Sequence, residues 1–315
     1  MKQTATKTRS GLGINNKREK LFYALFIAIP VIHFLVFYVY INFNSILLAF
    51  QEYTLGDNGY EINFAKLENF KAAWQNIFGA EGWIRIKNTA LLFLITLCVG
   101  TPLAILFSYY LYKKAFLSGF FKVILFMPQL LSGVVLGILF KQITSTVYID
   151  LFGGSNATGL LTNLETKFGT LLVFNLIMGF GVNVLTYTST MSGVNESLIE
   201  SAQLDGATAA QELWYIVLPM IYPTVTTLFI VSVSHLFTDQ FHLYTLFGAS
   251  ANEVSTVGYF LYVQAQSSAL SSSEVSALYL SYPILSAMGL IFTAIILPTT
   301  LIIRRLLEKY GPSAD

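Results

Sequence analysis

Apolar residues along this chain come in long blocks separated by short polar ones, and the blocks set the first reading. Six runs qualify as membrane spans, at roughly 21–50, 89–112, 120–140, 169–191, 217–237 and 277–303, because a helix needs about 20 mostly apolar residues to cross a hydrocarbon core. Pro128 falls in the third run, Pro219 opens the fifth and Pro223 follows in its first turn. Proline inside a span is tolerated where neighbouring helices satisfy the freed carbonyls, so these helices are expected to pack inside a bundle. The expected fold is all-α and polytopic, with six spans in one domain over 21–305 and polar tails at 1–20 and 306–315. The first run follows Lys17-Arg18-Glu19-Lys20, as a signal peptide would. It is much longer than the roughly 7–15 residues of a signal core, so it is read as an uncleaved anchor.

Residues 192–216 interrupt the apolar pattern with more than a simple loop. Asn195 is placed to cap a helix, with Glu196 in its first turn, where the helix dipole favours negative charge. Asp205-Gly206 should end that helix, since glycine takes positive φ without a Cβ clash. Thr208 and Gln211 have the spacing of a capping box, which starts a second helix. Ala210, Leu213, Trp214 and Val217 then recur at i, i+3, i+4 and i+7 as one apolar stripe. The pattern predicts a rigid bracket of two short helices at the membrane surface.

The order Glu200-Ser201-Ala202, three residues, Gly206, and later Ile216-x-Leu218-Pro219 resembles the EAA loop of binding-protein-dependent ABC importer permeases. The triplet Asp205-Gly206-Ala207 is similar to the carbohydrate-importer members, the maltose and glycerol-phosphate type. Ser201 stands where that family prefers alanine, and Trp214 where it often has phenylalanine; both fit a small residue inside the bracket and an aromatic at the interface. Leu67-Glu68-Asn69-Phe70, Lys87-Asn88-Thr89 and Gly119-Phe120-Phe121-Lys122 through Met127-Pro128 resemble further family elements, so the likeness runs from about 21 to 305. A G-G-P common in the family is replaced by Gly248-Ala249-Ser250.

The resemblance implies a permease subunit forming half of a carbohydrate pathway. Its partners would be a second, different permease, two ATPase subunits and an extracytoplasmic solute-binding protein. Glu200, Ser201, Ala202, Asp205, Gly206 and Ala207 would dock in a cleft of an ATPase subunit. ATP and magnesium would be used there, with no cofactor on this chain. Closure of the ATPase pair would rock the bracket and, through Pro219, span five.

Composition agrees with the membrane reading: 55% of residues are hydrophobic and only 11% charged, against about 25% charged in a soluble domain. An even number of spans puts both termini on one side, together with Lys113, Lys114, Lys122 and the 192–216 bracket. That side holds twelve of the 18 lysines and arginines, and the positive-inside rule makes it cytoplasmic. The expected location is multi-pass in the cell (inner) membrane, among lipid and without nucleic acid.

Outside, Leu67, Phe70, Trp74 and Phe78 recur at helical spacing and predict a surface helix, either interfacial or a dock for a partner. Gly153-Gly154-Ser155-Asn156 predicts a turn, and Ser271-Ser272-Ser273 a mobile loop end; Val257–Val263 is apolar enough to be a re-entrant or interfacial piece.

Catalytic chemistry finds no foothold. His33, His235 and His242 belong to no H-E-x-x-H, and neither a CxxC site nor a phosphate-binding GxxxxGK[ST] occurs, so no metal site, catalytic residue or ATPase is expected on this chain. Cys98 reads as a small buried residue. Intramembrane polar groups usually face a bundle interior, which makes Asn175, Asn183, Tyr187, Ser232, His235 and Tyr282 the candidate path. Amides, hydroxyls and rings suit a neutral, hydroxyl-rich solute. An ABC importer for another solute class is the nearest alternative. A gradient-driven carrier is the other, disfavoured by the lack of an acid deep in any span.

Overall fold

The computed structural model describes residues 17–56, 59–152, 158–270 and 275–312. Most of the N-terminal tail, the turn expected at Gly153–Asn156 and the run Ser271–Ser273 lie outside the described residues. Among the described residues, six helices are long and apolar enough to cross a membrane: span one Leu21–Leu48, span two Ala80–Tyr112, span three Gly133–Phe152, span four Leu164–Met191, span five Ala209–Ser234 and span six Tyr282–Tyr310. Shorter elements fill the connections. These are β1 (Gln51–Gly56), β2 (Gly59–Phe64), α1 (Glu68–Phe78), α2 (Ser118–Leu130), α3 (Glu196–Leu204), α4 (Leu243–Phe247) and α5 (Val257–Leu270). The strands form an antiparallel hairpin with Gln51 opposite Phe64 and Gly56 opposite Gly59, in a segment where sequence reading expects no strand.

Spans two, four and five start earlier than their apolar runs. Asn163 caps span four, its Oδ1 accepting the Glu165 N–H at 3.0 Å. Such side-chain caps satisfy N–H groups that a first helical turn leaves free. The third run is not one helix. Beyond Pro128, α2 stops at Leu130, Leu131 is extended, and Ser132 caps a new helix by accepting the Val134 N–H at 3.3 Å. Proline removes a helical donor and crowds the preceding turn, so the crossing is built from two helices and continues to Phe152 rather than ending near 140.

Packing divides into three cores. Ala104, Leu111, Val184, Tyr187, Met191, Ile199 and Val217 close spans two, four and five against α3. Leu92, Leu171, Phe174, Phe241, Leu246 and Tyr259 close the opposite end. Ala49, Ala73, Ile77, Met288 and Phe292 pack α1 and the end of span one on span six. Gly181 lets span four approach α2 so closely that a Cβ there would collide with the Leu125 carbonyl. One face of the bundle carries Lys113, α3 and the end of span six, where the Tyr222 hydroxyl donates to the Leu307 carbonyl at 3.1 Å. Of the groups in the charge count, Lys113, the bracket and the end of span six thus lie together in space.

Two expectations are corrected. Cys98 is exposed, not buried. The helix α1 exists, but its inward face is Ala73 and Ile77 with half-buried Phe70, while Leu67, Trp74 and Phe78 point away. The sequence stripe mixed both faces because Ala73 carries little apolar weight although the fold buries it completely.

Candidate functional site

The first bracket helix forms as read, but the second is not a short helix of its own: it runs on into span five, and its apolar stripe changes register. Asn195 Oδ1 accepts the Ser197 N–H at 3.1 Å and opens α3. Gly206, at φ +83, closes it: its N–H donates to the Gln203 carbonyl at 3.1 Å and the Ala207 N–H to the Ala202 carbonyl at 2.9 Å. This is the double bond pattern of a helix ended by a left-handed residue. Thr208 and Gln211 then form the reciprocal capping box. Ile199 anchors α3 in the core, Ala202 and Ala207 are half-buried, and Glu200, Ser201, Asp205 and Gly206 face outward beside Leu204. Ser201 therefore does not sit inside the bracket as its size suggested.

Beyond the cap the chain runs as one helix through Pro219 and Pro223 to Ser234. A π-helical turn at Leu213–Val217 adds a residue to the turn. Leu213 and Val217 are buried, whereas Ala210 and Trp214 are exposed. The stripe assumed an uninterrupted 3.6-residue period, and the π turn rotates Glu212 inward instead. Glu212 is 2% exposed. Its carboxylate accepts from Lys113 Nζ at 2.8 and 2.9 Å and from Gln203 Nε2 at 3.1 Å. Sequence reading missed this residue: its partner lies 99 positions away, at the polar end of span two, and no local pattern pairs them.

A cleft of about 280 Å³ opens between spans two, four and five. Its walls include Thr96, Asn175, Asn183, Ser232, His235 and Asp239, with Phe93, Phe180 and Phe241 as aromatic faces. A π-helical turn at Thr96–Gly100 forms the span-two wall, and the buried Thr96 Oγ1 has no hydrogen-bond partner. Asn175 is committed elsewhere, donating to the Leu171 and Phe241 carbonyls at 3.0 Å each. Ser232 donates to the Leu228 carbonyl at 2.9 Å. Asn183 makes no side-chain hydrogen bond to the described residues, so its amide is free for a guest. Four of the six path candidates therefore share one cleft. Tyr187 lies instead in the core under α3, 2% exposed. Tyr282 faces α5, its hydroxyl 3.4 Å from the Ala265 carbonyl.

The opposite end is fastened by polar side chains. Asn88 Nδ2 donates to the Glu253 and Ser255 carbonyls at 2.8 and 3.0 Å, and Thr89 Oγ1 accepts the Val257 N–H at 3.0 Å. Lys167 Nζ meets Glu253 Oε2 at 2.9 Å, which holds the Glu253 carboxyl below its ordinary range. The Lys87-Asn88-Thr89 element is thus a clamp on the segment before α5.

Residues 100–311 match the family described as binding-protein-dependent transport system inner membrane component. The arabinooligosaccharides transport system permease protein AraP of Bacillus subtilis (strain 168) is 27% identical over 250 residues, 76% of this chain and 77% of that protein. The probable starch degradation products transport system permease protein AmyD of Thermoanaerobacterium thermosulfurigenes is 26% identical over 292 residues, 88% and 95% of the two chains. In fold, the chain is similar to one in the crystal structure of a bacterial ABC transporter involved in the import of the acidic polysaccharide alginate. The TM-score is 0.74 at 22% identity, covering 93% of this chain and 97% of that one.

Proposed function

The chain belongs to the family of binding-protein-dependent transport system inner membrane components, and from that membership we propose that it is one permease subunit of an ATP-binding-cassette importer for a neutral oligosaccharide. It forms half of a pathway completed by a second, different permease. Two ATPase subunits, which use ATP and magnesium, drive it from the cytoplasm. A solute-binding protein delivers the cargo from outside. Both termini and the bracket face the cytoplasm, as the lysine and arginine distribution favours. This chain carries no ATPase site of its own.

The observation that supports this reading is continuity. The helix that begins at the Thr208 cap beside the motif ends at Ser234, next to His235 in the cleft wall. From Ala209 to Ser232 it spans about 34 Å at 1.5 Å per residue. A tilt imposed on Glu200–Ala207 is delivered to the cleft without a flexible joint. The cleft wall supports this solute class: amide, hydroxyl and aromatic groups surround it, Thr96 Oγ1 lacks a partner, and Asp239 is the one charged group among the lining residues. Such a surface hydrogen-bonds hydroxyls and covers sugar faces, and Asp239 disfavours uronate carboxylates. The named relatives concern arabinooligosaccharides and starch degradation products, which fits.

The test is purification from native membranes in mild detergent, identification of stoichiometric partners, and ATP-dependent uptake of labelled oligosaccharides in proteoliposomes. The expected result is a second permease, an ATPase and uptake of neutral sugars that uronate oligosaccharides do not inhibit. Recovery of the chain without an ATPase, with uptake driven by an ion gradient, overturns the proposal.

A further inference from the structure

Resting on the importer reading above, we propose that Glu212 is a positioning residue for energy coupling: its buried carboxylate ties the docking helix and the head of span five to the end of span two. Three elements meet there. Gln203, which donates at 3.1 Å, lies in α3 between Ala202 and Gly206. Lys113, which donates at 2.8 and 2.9 Å, follows the last residue of span two. Glu212 itself lies in the first turn of span five. The charges suit their places, since a helix start favours an anion and a helix end a cation. Leu111, Ile199 and Leu213 close the joint, each 1–5% exposed, and the Lys113 ammonium lies 5.9 Å from the centre of the Tyr109 ring.

Burial of charge is costly, and apolar side chains would hold these elements together as firmly. What the carboxylate adds is direction. Donors from two elements converge on two oxygens, so α3 cannot slide along span two without breaking the Gln203 bond, and span five cannot do so without leaving the Glu212 carboxylate unpaired in an apolar site. A load applied at Glu200–Ala207 then reaches span five through the helix and span two through Lys113. Span two carries Thr96 and span five carries Ser232, so the joint moves both of these cleft walls together.

The test uses the whole complex in proteoliposomes, with solute uptake and ATP hydrolysis read on the same preparation. Glu212→Gln and Lys113→Met are expected to raise the ATP consumed per solute carried about fivefold or more, the size of an ordinary coupling between sites. Lys113→Arg keeps a two-pronged donor and is expected to leave the ratio unchanged. Gln203→Leu removes one hydrogen bond and no charge, and it is expected to raise the ratio about twofold; it decides the matter if Glu212→Gln lowers assembly. An unchanged ratio in assembled Glu212→Gln or Gln203→Leu complexes overturns the proposal and assigns Glu212 to structure alone. Wild-type uptake that ignores ATP is a separate result, which removes the importer reading itself.

Discussion

The amide of Asn175 donates to the carbonyl of Phe241 at 3.0 Å and so fixes a residue whose φ is +48. His242 follows at φ +57. Non-glycine residues in this region cost about 1–3 kcal/mol each and persist only where their surroundings hold them. Here the holders are Asn175, Asp239, whose Oδ1 accepts the Phe241 N–H at 2.8 Å, and the Phe174 ring edge-on to His242. Asn175→Leu is therefore expected to destabilise the protein by about 1–2 kcal/mol and to slow uptake. Asn183→Leu, in the same cleft but with no bond to lose, is expected to keep the melting temperature and raise the half-saturating solute concentration. Thermal unfolding in detergent beside uptake kinetics separates the two, and equal melting losses would contradict the assignment.

Gly206 and Glu200 test the bracket. At φ +83 with open space around its Cβ position, Gly206 admits alanine only with backbone strain of about 1 kcal/mol. Gly206→Pro also removes the N–H that caps Gln203 and cannot adopt a positive φ. Gly206→Ala is expected to retain most uptake. Gly206→Pro and the exposed charge reversal Glu200→Lys are expected to insert in the membrane at normal abundance and to lose uptake. Normal uptake by either of these last two variants would remove the docking role.

How much of this was legible in the sequence depends on the range of the interaction. Asn195, Gly206 and the Thr208–Gln211 box are local devices, and each acts as its spacing predicts. The six crossings follow from apolar length. What the sequence hides is register and partnership. The π turns at Thr96–Gly100 and Leu213–Val217 leave no residue signature, yet one shapes the cleft and the other turns Glu212 inward. Asn175 and Asn183 look alike as intramembrane amides; only the fold shows that Phe241 occupies one and leaves the other free. Cys98 read as buried because mid-span position does not say which side of a helix faces the bundle.

The Lys167–Glu253 pair predicts an acid sensitivity. Lys167, chiefly by its hydrogen bond, lowers the Glu253 pKa below the ordinary 4.5. The unfolded chain therefore takes up the proton first as pH falls. The stabilisation is fully present above pH 4.5 and is lost as pH drops through the folded value. His242 acts in a higher window: burial lowers its pKa below the ordinary 6.5, against the opposing charge of Asp239, so protonation below 6.5 favours unfolding. Glu253→Gln should weaken the pH dependence of melting below 4.5 and leave that between 4.5 and 6.5. A wild-type slope surviving in Glu253→Gln below 4.5 would place the acid-sensitive group elsewhere.

Two glycines on span four offer the sharpest test of packing. Both lie in the same helix, where glycine is about 0.5–1 kcal/mol worse than alanine when nothing is near. Gly169 has open space at its Cβ position, so Gly169→Ala is expected to be neutral or to stabilise by about that amount. Gly181 faces the Leu125 carbonyl of α2, a backbone atom that no rotamer change can move aside. Gly181→Ala must push α2 from span four, at a cost of about 1–3 kcal/mol typical of overpacked interiors. The displacement also reaches Phe180, the neighbouring residue in the cleft wall. Lower melting temperature and weaker uptake are expected together for Gly181→Ala and for neither in Gly169→Ala. Identical behaviour of the two variants would mean that α2 does not rest on span four in the membrane.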